Sequence, residues 1–124
     1  AILKGSFKGV SLINMPVYKN INSNTKKAIS KFIFKKKLKK TTLVDIQIFT
    51  GRTHQIRIHA AEMKHPIIYD KRYGDIKFDE KLNTGIHKMP LHSKKISFPD
   101  LNNKTIKTNA EYPIEFKNLL MNLN

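Results

Sequence analysis

The stretch Thr42–Phe49 alternates as a half-buried strand does. Val44, Ile46 and Ile48 fall on one face, Asp45 and Gln47 on the other. Gly51 ends that strand, and the apolar period then changes. Ile56, Ala60 and Met63 stand at i, i+4 and i+7, the stripe of a helix that Thr53 can cap, that runs to about Lys64, and that Pro66 stops. This switch from period two to period 3.6 within a few residues sets the expectation for the fold. It is an α+β domain built on a mixed, mostly antiparallel sheet, with one central helix.

The flanking segments extend the pattern. Ala1–Phe7 reads as a short strand loosened by Gly5, and Val10–Lys19 as extended chain broken by Pro16. Asn20–Thr25 is a polar loop. Lys26–Leu38 fits helix or strand by period, and its β-branched and aromatic content favours a strand paired to Thr42–Phe49 across a Lys39–Thr41 turn. Ile67–Asp75 is a loop with Gly74 as its turn, and Phe78–Leu82 one helical turn. Pro90–Phe98 and Thr105–Glu111 form a second hairpin across Pro99–Lys104. Pro113 opens a closing helix, Pro113–Leu123, with Ile114, Phe116, Leu119, Leu120 and Leu123 as its apolar stripe.

At 124 residues the chain amounts to one domain, 1–124, with a single core. No apolar run approaches the ~20 residues of a membrane span, so no membrane association is expected. Ala1–Val10 carries two lysines and two glycines and is no secretory leader. The absence of an initiator Met suggests a piece of something longer. With no cysteine, thiolate zinc sites, disulfides and Cys nucleophiles are excluded, and a cytoplasmic location is expected.

Charge narrows the partner. Twenty-four Lys and Arg stand against nine Asp and Glu, a net +15 that favours polyanions. The Lys, Ile and Asn usage also fits an AT-rich genome, so part of the excess reads as codon bias. Its distribution points further: eleven lysines precede the first acid, Asp45, and eight of them fall between Lys26 and Lys40. That block, Lys35, Lys36 and Lys37 included, suits either a solvated face or a phosphate-facing surface. Arginine is scarcer. Arg52, Arg57 and Arg72 are the only three, and they cluster within 21 residues, as expected where a rigid bidentate guanidinium is needed.

The passage Thr50–His59 concentrates the functional groups. His54 and His59 are five apart and no His-Glu-x-x-His occurs, so no metal site is expected. One glycine does not make a phosphate-binding loop, and there is no Gly-x-Ser-x-Gly elbow. The residues alone describe a basic pocket at a helix N-terminus, suited to an anion or a carboxylate. They equally allow Arg57 merely to pair with a buried acid.

Thr50-Gly51-Arg52-Thr53-His54-Gln55-Ile56-Arg57-Ile58-His59, then His65-Pro66-Ile67 and Asp70-Lys71-Arg72-Tyr73-Gly74, strongly resembles a signature of the RluA-type pseudouridine synthases. Ala1–Phe7 is similar to the end of that family's second motif. Asp75–Asp79 with Leu82 resembles the branch that modifies large-subunit ribosomal RNA, and Leu91-His92 with the strand to Pro99 resembles the family's last sheet element. The resemblance implies cofactor-free isomerisation of uridine in RNA by a nucleophilic aspartate. It makes Arg57 that aspartate's partner and sets Ile56 near the base. It gives Arg52, Thr53, His54, Gln55 and Arg72 to the pocket or the RNA backbone. His54 and His59 divide between a supporting role on the helix and direct RNA contact, and His92 is structural.

The family's aspartate sits in an Arg-Leu-Asp motif, which these 124 residues lack. The resemblance therefore implies that the motif, an active-site tyrosine and any S4-like domain precede Ala1, that the chain is the C-terminal part of a catalytic domain, and that it is inactive alone. The expected partner is 23S-type large-subunit ribosomal RNA, and the expected state a monomer. The rivals are a non-catalytic RNA-binding remnant and a small ribosomal-protein-like binding module.

Overall fold

A computed structural model describes residues 1–17, 26–99, 102 and 105–124. The expected loop Asn20–Thr25 and most of the Pro99–Lys104 turn lie outside the described residues. The chain runs β1 (Ile2–Lys4), β2 (Val10–Asn14), β3 (Ile29–Leu38), β4 (Thr41–Ile48), α1 (Gln55–Glu62), α2 (Ile76–Leu82), β5 (Lys95–Pro99), β6 (Thr105–Asn109) and α3 (Ile114–Leu123). Four strands form a sheet in the order β1-β4-β3-β2, and β5 and β6 form a separate hairpin. Among the described residues every strand pair is antiparallel, in line with the mostly antiparallel sheet expected. The architecture is α+β.

The sheet is buried on both faces, through alternation between adjacent residues. Leu3, Phe32 and Val44 pack with Ala60 of α1 and with Ile67. Their neighbours Ile2 and Leu43 point the other way, to Leu38, Ile68 and the Phe116, Leu119 and Leu123 stripe of α3. Burying each such side chain contributes ~1.5–3 kcal/mol. Two apolar positions expected to be buried fall outside these layers. Ile48 is 49% exposed near the end of β4, and Ile114 is 65% exposed at the start of α3. Pro113 precedes the first turn of α3 rather than lying within it.

The β3–β4 hairpin carries a register shift between Phe34 and Lys36. The bulge interrupts the alternation, so Lys35, Lys36 and Lys37 are all exposed. The turn is closed by Lys40 in the left-handed region, φ 55°. At ~3.3 Å per residue, Lys37 stands roughly 23 Å along the strand from Ser30, where α1 docks. The basic block is therefore spread along a strand, with Lys26 and Lys27 at one end and Lys35–Lys40 at the other.

Helix α1 starts one residue later than expected, and Thr53 is not its cap. His54 holds that position, at φ 55° and with no side-chain cap bond. The reason lies in Gln55, whose Oε1 accepts from the Arg52 N–H at 3.1 Å and the Thr50 hydroxyl at 2.6 Å, folding the loop back onto the helix. The buried face is correspondingly Gln55, His59 and Ala60, while Ile56 and Met63 are half-buried. Helix α2 is longer than the single turn expected and is capped by Asp75, whose Oδ1 accepts from the Phe78 N–H at 3.0 Å.

Candidate functional site

The site forms where α1 meets the loop Tyr69–Gly74. Arg57, on the half-buried side of α1, donates from Nε to Asp70 Oδ2 at 2.9 Å and from one terminal nitrogen to Oδ1 at 2.8 Å. Asp70 is fully buried, at 1% exposure, and its Oδ1 also accepts the backbone N–H groups of Arg72 and Tyr73, each at 3.0 Å. Burial pushes the Asp70 carboxyl up. The Arg57 bond and the two backbone donors outweigh that and hold it below its ordinary value. The same bond raises Arg57 above its own ordinary value, against desolvation. The loop closes through the Gly74 N–H to the Asp70 carbonyl at 2.9 Å. A Cβ at Gly74 would lie 2.3 Å from that carbonyl oxygen, so only glycine fits.

Asp70 occupies one edge of the guanidinium. Of the five N–H donors of an arginine it uses the Nε–H and one terminal N–H, leaving the end-on pair of N–H groups directed away from Asp70. The Arg57 side chain as a whole is 19% exposed. Tyr73 lies beside it. The Arg57 guanidinium is 5.1 Å from the ring centroid and that of Arg72 5.2 Å, within cation–π range. The Tyr73 hydroxyl is hydrogen-bonded to His54 Nδ1 at 3.1 Å, tying the helix start to the loop. The arrangement presents a fixed, planar, doubly donating cation beside an aromatic face, a geometry matched to a second carboxylate or a phosphate.

Beneath the site lies a satisfied polar network. Gln55 Nε2 donates to the Ile29 carbonyl at 2.9 Å and to Ser30 Oγ at 2.8 Å. His59, with no exposure, is 3.0 Å from Ser30 Oγ through Nδ1 and 2.9 Å from the Met15 carbonyl through Nε2. A carbonyl only accepts, so Nε2 carries the proton and Nδ1 accepts from Ser30. His59 therefore ties α1 to the sheet and cannot reach RNA. Gln55 is also buried, with both amide atoms engaged inside the protein.

Arg57, Arg72 and His54 converge on Tyr73. Arg52 stands at the loop's start, its Nε donating to the Lys27 carbonyl at 3.0 Å, and Thr53 is exposed beside it. Ile56 is half-buried against the α1 core cluster. Lys35, Lys36 and Lys37 lie at the far end of β3 and are not part of this constellation. Lys35 leans instead toward Asp45, 3.8 Å away. His92 Nε2 lies 3.2 Å from the Ala110 carbonyl, to which it donates. Asp70 and Tyr73 stand within the Asp70–Gly74 block of the resembling signature but were given no role there, although Asp70 is one of only nine acids in a strongly basic chain. No group of three or more metal-ligating side chains occurs among the described residues, and none of their helices is long and apolar enough to cross a membrane.

Residues 8–62 match the family model described as RNA pseudouridylate synthase. The ribosomal large subunit pseudouridine synthase C of Vibrio parahaemolyticus is 32% identical over 99% of this chain and 42% of that protein. The enzyme of the same name from Buchnera aphidicola of Acyrthosiphon pisum is 43% identical over 81% of this chain and 33% of that protein. Among solved structures, human RNA Pseudouridylate Synthase Domain Containing 1 superposes with a TM-score of 0.79, covering 91% of this chain and 53% of that one at 20% identity, a likeness of fold. Over these spans the chain is similar to the RNA pseudouridylate synthases. It spans less than half the length of these curated relatives.

Proposed function

We propose that this protein is part of an RNA pseudouridine synthase that isomerises uridine in large-subunit ribosomal RNA, and that these residues supply its arginine side. The observation that carries the reading is the free edge of Arg57. Asp70 fixes the guanidinium plane through one edge and leaves the other for a carboxylate. An aspartate that attacks a sugar carbon must be ionised and aimed within a site shielded from water. A bidentate guanidinium does both, since it stabilises the carboxylate's charge and fixes its orientation.

No Arg-Leu-Asp occurs in these 124 residues, and Asp70, the acid at the site, is consumed by Arg57 and two backbone N–H groups. On this reading the nucleophile comes from another part of a longer chain. The flipped uridine would lie toward Tyr73 and Ile56, and Arg52 and Arg72 would hold flanking phosphates. The names of the relatives favour ribosomal RNA of the large subunit as the substrate.

The test is pseudouridine formation in unmodified large-subunit ribosomal RNA, read by chemical mapping. The full protein should form it, and the 124-residue chain alone should form none. Formation by the 124 residues alone would overturn the assignment of the nucleophile. Its absence with the full protein would leave an RNA-binding remnant.

A further inference from the structure

We propose that the groove beside the Arg57 site binds the phosphodiester backbone of a single RNA strand, through Lys64 and Lys77. The proposal rests on the chain's reading as an RNA-modifying protein and adds a binding track to it. The groove has a volume of about 430 Å³ and runs between the end of α1, β1 and the start of α2. Lys4, Lys64 and Lys77 line it. The one acid in its lining, Asp75, is already committed to Lys4 at 2.6 Å and to the cap of α2. Lys64 and Lys77 are exposed and form no ion pair among the described residues. The groove is therefore net positive, with two ammonium groups unclaimed.

Its position connects it to the site. Ala61 in its wall is four residues after Arg57, on the same face of α1 and ~6 Å along the axis. Gly74 in the opposite wall follows Tyr73 directly. A strand whose target base sits by Tyr73 would enter the groove with its next nucleotides. The remaining lining is apolar: Ala61, Pro66 and Ile76, the last 57% exposed. Such a wall suits a ribose or base face, while lysines at the rim supply sequence-blind point charges.

Binding of a short single-stranded RNA containing no uridine, followed by fluorescence anisotropy across a salt series, tests this on the full protein. The Lys64→Gln/Lys77→Gln double variant should flatten the slope of log affinity against log salt by ~1.4, at ~0.7 per lost phosphate contact. Lys64→Arg/Lys77→Arg should restore it. Lys95→Gln/Lys107→Gln removes the same charge from exposed positions on the β5–β6 hairpin and should change the slope by less than half as much. An unchanged slope in the groove variant, or an equal change in the hairpin variant, would overturn the proposal. The probe has no substrate base, so failure of uridine isomerisation leaves this readout unaffected.

Discussion

Replacing Asp70 by Asn keeps the shape of a fully buried side chain and removes its charge. The carboxylate accepts four hydrogen bonds, two from Arg57 and one each from the Arg72 and Tyr73 N–H groups. An amide has one oxygen and turns an NH2 group toward at least one of these donors. Bonds to charged groups are worth ~1.5–3 kcal/mol each, and unpairing one partner of a buried ion pair costs ~3–5 kcal/mol. Asp70→Asn should therefore lose ~3–5 kcal/mol. This is a large share of the ~5–15 kcal/mol available to a domain, and lowers the melting midpoint by ~12–20 °C at ~4 °C per kcal/mol. The assay is urea denaturation of wild type, Asp70→Asn, Arg57→Met and the double variant. The double should lose much less than the sum of the singles, because each single strands the other partner. Lys4–Asp75, also an ion pair at 2.6 Å but about one-third exposed on both sides, is the contrast: Lys4→Gln should cost under ~1 kcal/mol. A loss below ~1 kcal/mol in Asp70→Asn with strictly additive singles would refute the claim that Asp70 fixes Arg57.

Three further outcomes follow from the same structure. Gly74→Ala should destabilise by ~1–3 kcal/mol in equilibrium unfolding, since the added Cβ meets the Asp70 carbonyl at 2.3 Å. With a free amine at Ala1, burial lowers the amine's pKa from 8.0 to about 5. The unfolded chain then binds the extra proton between those values, so stability should rise from about pH 5 to 8 by up to ~4 kcal/mol, and acetylating the amine should flatten the rise. Changing Lys35, Lys36 and Lys37 together to Gln should flatten the salt slope for binding to large ribosomal RNA by roughly two to three, while an unchanged slope would make that strand end a solvated face.

The fold was legible where local periodicity decides it. The Thr41–Ile48 strand and the helix after Gly51 follow from alternation and a 3.6-residue stripe. The second buried face of β4 was not, because Leu43 is covered by α3 from the far end of the chain. Gln55 was expected at the pocket or the RNA backbone, and His59 either in a supporting role on the helix or in contact with RNA. They are buried because Ser30 of β3 and the Met15 carbonyl, distant in sequence, satisfy them. Arg57 stood out as one of three arginines amid many lysines, whereas its partner Asp70, thirteen residues on, is joined to it only by the tertiary fold. The lysine block was legible as charge, but its spread along a bulged strand was not.

The central claim is that the free edge of Arg57 aims a nucleophilic carboxylate at uridine. Its most direct measurement is pseudouridine formation on unmodified large-subunit ribosomal RNA by the full protein carrying Arg57→Lys, with RNA affinity measured alongside. Lysine keeps the charge and loses the two-edged fork that can hold Asp70 and a second carboxylate together. The account predicts that most of the activity is lost while affinity stays near wild type. Near-normal turnover in the lysine variant would contradict it and leave Arg57 as a structural partner of Asp70 alone.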